Sequence, residues 1–141
     1  MALKVFVDTD VVISSLISST GAAFLLLNQT GELDFFVSDI SAKEIEEVTK
    51  RLHIDSQKAK NLIYERFSVV RLKITGGAIQ STFGDYVLDH DDAHIVAGAK
   101  AANAQFLISY NTRHFKADKL KKDFRIILTT PANLLQYIRS L

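Results

Sequence analysis

The sequence predicts a three-layer α/β sandwich, with a mainly parallel central sheet flanked by helices. Three observations predict it. Short runs rich in β-branched and aromatic residues alternate with helical stretches, the pattern of strands joined by helical crossovers. The 141 residues suit one domain, residues 1–141, and can bury a core without disulfide staples. No internal repeat or low-complexity linker divides the chain.

The elements follow in order. Leu3 to Val7 reads as a first strand, and Leu33 to Val37 as a second. Between them, Val11 to Ile17 and Ala22 to Asn28 read as helices parted by Thr20-Gly21. A helix over 41–52 has Asp39 or Ser41 as its cap, since an acceptor there satisfies free backbone N–H groups. Asp55-Ser56 opens another helix, to about Phe67, and Val69 to Leu72 is a short strand. Residues 75–84 read as a loop around Gly76-Gly77. Asp91-Asp92 opens an alanine-rich helix to Asn103, followed by strands at 106–109 and 125–128. Thr130, as N-cap before the single proline Pro131, starts a last helix running to about Leu141.

Composition narrows the function. Apolar residues make up 48%, which argues against disorder. The absence of cysteine excludes disulfides, thiolate zinc sites and Cys nucleophiles. The chain reaches Asp8 before a signal-peptide core can form, and its longest purely apolar run, Ala22 to Leu27, is too short to span a bilayer. A soluble cytoplasmic protein with no membrane partner is the expectation. Net charge is +1, but its distribution is uneven. Residues 1–49 hold eight acids against Lys4 and Lys43, and 85–92 hold four acids and no Lys or Arg. Residues 113–125 hold six Lys and Arg against Asp118 and Asp123. Such asymmetry suits a metal-holding acidic pocket beside a phosphate-binding rim. A solvated helix face is the plainer reading of the basic run.

In parallel sheets, ligands bind beyond the carboxyl ends of the strands. Asp8 ends the first strand there, and Asn111 follows a later strand through Ser109-Tyr110. Asp92 heads the helical stripe of Ile95, Val96 and Ala99, while Asp91 is rotated away. Glu44 borders the apolar stripe of its helix, and Glu46 points the opposite way. Each residue has a plainer role: Asp8 or Asn111 as a cap, Asp92 as a helix-dipole charge, Glu44 as partner of a surface lysine. Together, three carboxylates and an amide at one sheet edge call for a cation, because like charges that close are otherwise unstable. Mg²⁺ or Mn²⁺ suits such oxygen donors.

At these residues the chain resembles the PIN-domain family. The matching segments are Phe6–Ser14, Ser38–Ile45, Asp89–Ile95 and Leu107–Phe115, within a resemblance running from Lys4 to about Thr129. The region near Ser14-Ser15-Leu16 is most similar to the bacterial and archaeal branch that supplies toxins of toxin–antitoxin pairs. The resemblance implies a PIN-like sandwich that hydrolyses RNA with Mg²⁺ or Mn²⁺. It implies Asp8 and Asp92 as principal metal ligands, Glu44 as the third acid and Asn111 at the fourth catalytic position. That position is often aspartate in the family, so a second metal would bind less tightly here. Thr9 and Ser109 would add hydroxyl contacts. Arg113, Lys116 and Lys119, with Lys121 and Lys122, become candidates for RNA phosphate contacts. The implied partners are an RNA substrate, a small antitoxin and a second copy in a homodimer, for which Ala22 to Leu27 is a candidate surface unless it packs internally.

Other chemistries compete. His90 and His94 have the i, i+4 spacing of a zinc clamp, but His90 precedes the helix and no third ligand is evident. A phospho-accepting receiver domain would want a lysine at the end of its last parallel strand, which Leu128-Thr129-Thr130 does not supply. No glycine-rich nucleotide motif follows Val7. A flap nuclease of the same superfamily would need an extra helical arch. A degenerate, non-cleaving domain that binds RNA or protein is the main alternative, and Asn111 sustains it.

Overall fold

A computed structural model of the chain describes residues 2–29 and 31–141. Five parallel strands form one sheet in the order β3-β2-β1-β4-β5. They are β1 (Leu3–Val7), β2 (Leu33–Ser38), β3 (Phe67–Val70), β4 (Phe106–Ile108) and β5 (Ile127–Thr129). The helices are α1 (Thr9–Ile17), α2 (Ala22–Leu27), α3 (Asp39–Arg51), α4 (Ser56–Arg66), α5 (Gly76–Phe83), α6 (Ala93–Ala101), α7 (Ala117–Phe124) and α8 (Pro131–Arg139). Single 3₁₀ turns occur at Gly84–Tyr86, His90–Asp92 and Thr112–His114.

Side-chain alternation along the strands builds two cores. Val5, Val7, Phe35, Val37, Phe106 and Ile108 face one side and pack with residues of α1, α2, α3 and α8. Phe6 and Leu107 face the other side and pack under α5, α6 and α7. Burial on both faces is what makes the predicted three-layer sandwich stable, since each helix covers its apolar stripe against the sheet. Ala22 to Leu27 packs largely inward: Ala23, Leu26 and Leu27 are buried, and α2 lies against α1 and α8.

The strand order fixes where a ligand site can form. From β1 the chain moves to β2 and then β3 on one flank, then crosses back to place β4 on the other flank. β1 and β4 are therefore neighbours whose connections leave in opposite directions. A crevice opens at the carboxyl ends of two such strands.

Three expectations change in detail. Residues 75–84 are mostly helical: the Thr75 hydroxyl accepts from Ala78 N, and Ile79 and Phe83, one turn apart, bury on the same face. The gain from that burial outweighs the helix penalty of Gly76 and Gly77. Ser38, not Asp39 or Ser41, caps α3 by accepting from Ser41 N, while Asp39 instead accepts from Ile40 N and Leu72 N. The third strand begins at Phe67, two residues early, because Phe67 pairs with Phe35 and is buried. The basic run forms α7, whose Leu120 is fully buried beneath exposed lysines. No helix among the described residues is long and apolar enough to cross a membrane.

Candidate active site

A cleft of about 500 Å³ lies at the carboxyl ends of β1 and β4. Asp8, Thr9, Asp10, Glu44, Asp92, Asn111 and His114 line it. The four residues expected at the catalytic site, Asp8, Glu44, Asp92 and Asn111, thus share one cavity although they are up to 103 positions apart in the chain.

Asp8 leaves β1 and becomes the N-cap of α1, with Oδ1 accepting from Thr9 N at 2.8 Å. Its Oδ2 accepts from the Ser109 hydroxyl at 2.8 Å, which ties the end of β1 to the end of β4. The capping role anticipated as the plainer reading is real, and it aims the carboxylate along the cleft wall. Burial and the neighbouring Asp10 push the Asp8 carboxyl up to about 7.

Glu44 comes from α3. Its Oε1 accepts from the Thr9 hydroxyl at 2.6 Å, and its Oε2 lies 3.4 Å from His94 Nε2. The hydrogen bond from His94 holds Glu44 below the usual carboxylate range, despite burial acting the other way. The partner is not a lysine but a largely buried histidine in the first turn of α6. Asp92 stands at the head of α6, 3.8 Å from His114 Nδ1. Burial raises its carboxyl, with Asp89 adding to the effect.

Asp10 is the residue that sequence reasoning passed over. Its Oδ2 accepts from Tyr110 N at 3.0 Å and from Asn111 Nδ2 at 2.9 Å, and it lies 3.4 Å from the Ser109 hydroxyl. Its Oδ1 is buried and has no hydrogen-bond partner. A usable signal was present: Asp10, Ile13, Ser14 and Ile17 follow helical spacing, and all four line the cleft. His94 was considered only as half of a zinc pair. His90 is exposed in its 3₁₀ turn, whereas His94 turns to Glu44.

The donors fit a hard divalent cation: they are carboxylate and amide oxygens, with one buried carboxylate oxygen left without a partner. Yet among the described residues no three His, Asp or Glu side chains are grouped closely enough to hold one ion. Each acid is engaged by a neighbour instead. Thr9 and His94 take Glu44, Ser109 takes Asp8, and His114 attracts Asp92.

The basic residues fall outside the cleft wall. Lys119 is engaged elsewhere, 4.6 Å from the centre of the Tyr86 ring and 4.0 Å from Asp85. Arg113 lines a neighbouring cavity with Thr112, Thr129 and Asn133. Lys116 is exposed beside it in sequence. A further cavity of about 610 Å³, between α3, α4 and β3, is lined by Ile45, Glu46, Ala59, Ile63, Tyr64 and Phe67 among others and holds none of Asp8, Asp10, Glu44 and Asp92.

Comparison with known proteins agrees with this architecture. A family model described as PIN domain matches residues 4–113. Among solved structures, the chain is similar to VapBC-1 from nontypeable Haemophilus influenzae, with a TM-score of 0.62 and 15% identity over 92% of this chain and 99% of that one. It is similar to a toxin–antitoxin complex from Klebsiella pneumoniae, with a TM-score of 0.60 and 20% identity over 90% of this chain and 97% of that one. VapBC2 from Rickettsia felis, bound to a DNA fragment from its promoter, gives a TM-score of 0.60 and 14% identity over 91% and 98% of the respective chains. At such identities the likeness is one of fold. No curated protein is a significant match in sequence.

Proposed function

The chain belongs to the PIN domain family, and from that premise we propose that it is a Mg²⁺- or Mn²⁺-dependent endoribonuclease, the toxin of a toxin–antitoxin pair acting in the cytoplasm. One observation carries the proposal: Asp8, Glu44 and Asp92, from three separate elements, line one cleft at the crevice between β1 and β4. Ordinary solvated acids have no reason to gather there. The toxin–antitoxin assembly from Klebsiella pneumoniae, similar in fold, supports the biological setting.

In this reading Asp8 and Asp92 would hold the cation, and Glu44 would be the third acid beside it. When bound, a divalent cation supplies Lewis-acid stabilisation of the phosphodiester and a more acidic water. The chain's own residues do the rest. Thr9 and His94 engage both oxygens of Glu44, which favours its anionic form in the cleft. Asp92 and Glu44, which share the cleft, are the carboxylates placed to orient the attacking water or accept its proton. Ser109 orients Asp8 from β4. Arg113 and Lys116 are the cations proposed to meet the RNA backbone; Lys119 serves the fold through Tyr86. A small antitoxin and a homodimer complete the proposed assembly. Co-purification with the product of a short adjoining reading frame, and light scattering of the pure protein, test those two partners.

The decisive assay is cleavage of a structured RNA in Mg²⁺. Asp8→Asn and Asp92→Asn are each expected to lower the rate at least about 100-fold, the scale of removing a group that stabilises the transition state, and a chelator to abolish it. Cleavage by Asp8→Asn at the wild-type rate overturns the assignment. A second reading, a PIN domain that binds RNA or protein without cutting, is favoured by Asn111, whose amide is spent on Asp10. Mn²⁺ binding by calorimetry with no cleavage of any RNA would select it.

A further inference from the structure

We propose that Asp10 supplies the cation with a fourth carboxylate, and that Asn111 is the residue that holds Asp10 in place for it. This inference rests on the metal-dependent reading of the cleft. It differs from the expectation that Asn111 itself fills the fourth position.

The geometry assigns the roles. Three groups from one segment, Ser109 Oγ, Tyr110 N and Asn111 Nδ2, converge on a single oxygen of Asp10 at 3.4, 3.0 and 2.9 Å. The other oxygen is buried and, among the described residues, makes no hydrogen bond of normal geometry; only the Val11 N–H lies near enough to favour its charge. A buried polar atom without a partner costs about 1–3 kcal/mol, so native structures seldom leave one unexplained. A carboxylate fastened on one side and bare on the other is what a ligand looks like before its cation is counted. The Ser109 hydroxyl also lies 2.8 Å from Asp8 Oδ2, which brings the two carboxylates around one small group. Two such charges are mutually unfavourable; in the metal-free protein a proton on Asp8 relieves them, and a bound cation would do so in its place.

Asn111 fits the complementary role. Its amide presents N–H to Asp10, which an aspartate at the same place could not do. The neutral residue therefore removes no acid from the cleft. It secures one, leaving four: Asp8, Asp10, Glu44 and Asp92. The plainer account is that Asp10 merely pins residues 109–111 to the first turn of α1, where a negative charge also suits the helix dipole.

Mn²⁺ calorimetry and thermal melts on the full chain separate the two. Asp10→Asn is isosteric. It should lower Mn²⁺ affinity at least about tenfold, at the lower end of the range known for altering groups around a metal, without lowering the melting temperature in chelator by a comparable extent. Exchanging the pair, Asp10→Asn with Asn111→Asp, restores one acid and one amide across the same hydrogen bond and should recover most of the affinity. Asn111→Asp alone sets two carboxylates face to face: its melting temperature should fall in chelator and return in Mn²⁺. Wild-type Mn²⁺ affinity in Asp10→Asn, with only a lower melting temperature, overturns the proposal. So does an Asn111→Asp protein whose lost stability Mn²⁺ does not return. Asp8→Asn is the control for the underlying reading. Wild-type protein that binds no Mn²⁺ sinks both ideas, whereas binding abolished by Asp8→Asn and untouched by Asp10→Asn sinks only this one.

Discussion

Within the cleft, neighbouring carboxylates are pushed in opposite directions. Burial and Asp10 raise Asp8 to about 7, whereas the His94 and Thr9 hydrogen bonds lower Glu44. The consequences for stability differ in sign. A carboxyl raised in the folded state binds its proton more tightly there than in the unfolded chain. Asp8 therefore stabilises the metal-free protein progressively as pH falls from about 7 towards its ordinary 3.8, and opposes folding above 7. Glu44 acts oppositely, and its contribution is lost only as pH falls below its ordinary 4.5. In chelator, the melting temperature of wild type relative to Asp8→Asn should therefore rise between pH 8 and pH 5.5. Parallel melting curves for the two proteins across that range would show that Asp8 is not held in this way. The residue scale was only partly legible in the sequence. Asp8, Glu44 and Asp92 announced themselves through strand-end and helix-face positions. Asp10 shares a helical face with Ile13, Ser14 and Ile17, but its partners, like that of His94, lie about 100 and 50 positions away in the chain and no local pattern reports them.

At the scale of elements, α6 carries Asp92 to the cleft, and a glycine sets how closely it lies on the sheet. Gly98 faces the ring of Phe6, which is fully buried in β1. An added Cβ would stand 2.6 Å from Phe6 Cε2 and closer still to Cζ, a distance that real Cβ atoms do not adopt. Neither partner can yield easily, since the ring is fully buried in a central strand and packed in the core beneath α6. Gly98→Ala should therefore destabilise the protein by about 1–3 kcal/mol, the usual range for overpacking, although alanine is the better helix former. Urea denaturation measures this, and a neutral or stabilising result would mean that α6 is not seated as closely as described. The helices and strands themselves were mostly legible, because period-2 and period-3.6 patterns report burial directly. The helix at Gly76–Phe83 was not, since its two glycines masked a cap and a buried pair one turn apart. The capping residue of α3 was ambiguous for a similar reason: Ser38, Asp39 and Ser41 are all good acceptors, and only the approach of Leu72 to Asp39 decides among them.

Across the whole molecule, charge is divided by topology. The acids collect at the crevice where β1 and β4 part, and the basic run follows immediately after β4 as the turn at Thr112–His114 and helix α7. The sequence showed this division as blocks of opposite sign, but it did not show which cations remain available to a ligand. The structure separates them: Lys119 lies over Tyr86 and near Asp85, while Arg113 borders the cavity next to the acid-lined cleft. If RNA is the substrate, its backbone should meet Arg113 and Lys116 and leave Lys119 in place. Each phosphate contact on a single strand contributes about 0.7 to the slope of log affinity against log salt. Arg113→Ala and Lys116→Ala, assayed on an uncleavable RNA or in chelator, should each flatten that slope by roughly this amount and weaken binding to all sequences alike. Lys119→Ala should leave the slope unchanged and instead lower the melting temperature, because it loses the Tyr86 ring and Asp85 together. A slope that responds to Lys119 and ignores Arg113 would place the RNA along α7 instead of beside the crevice. The acids and the substrate would then lie on different faces of the molecule.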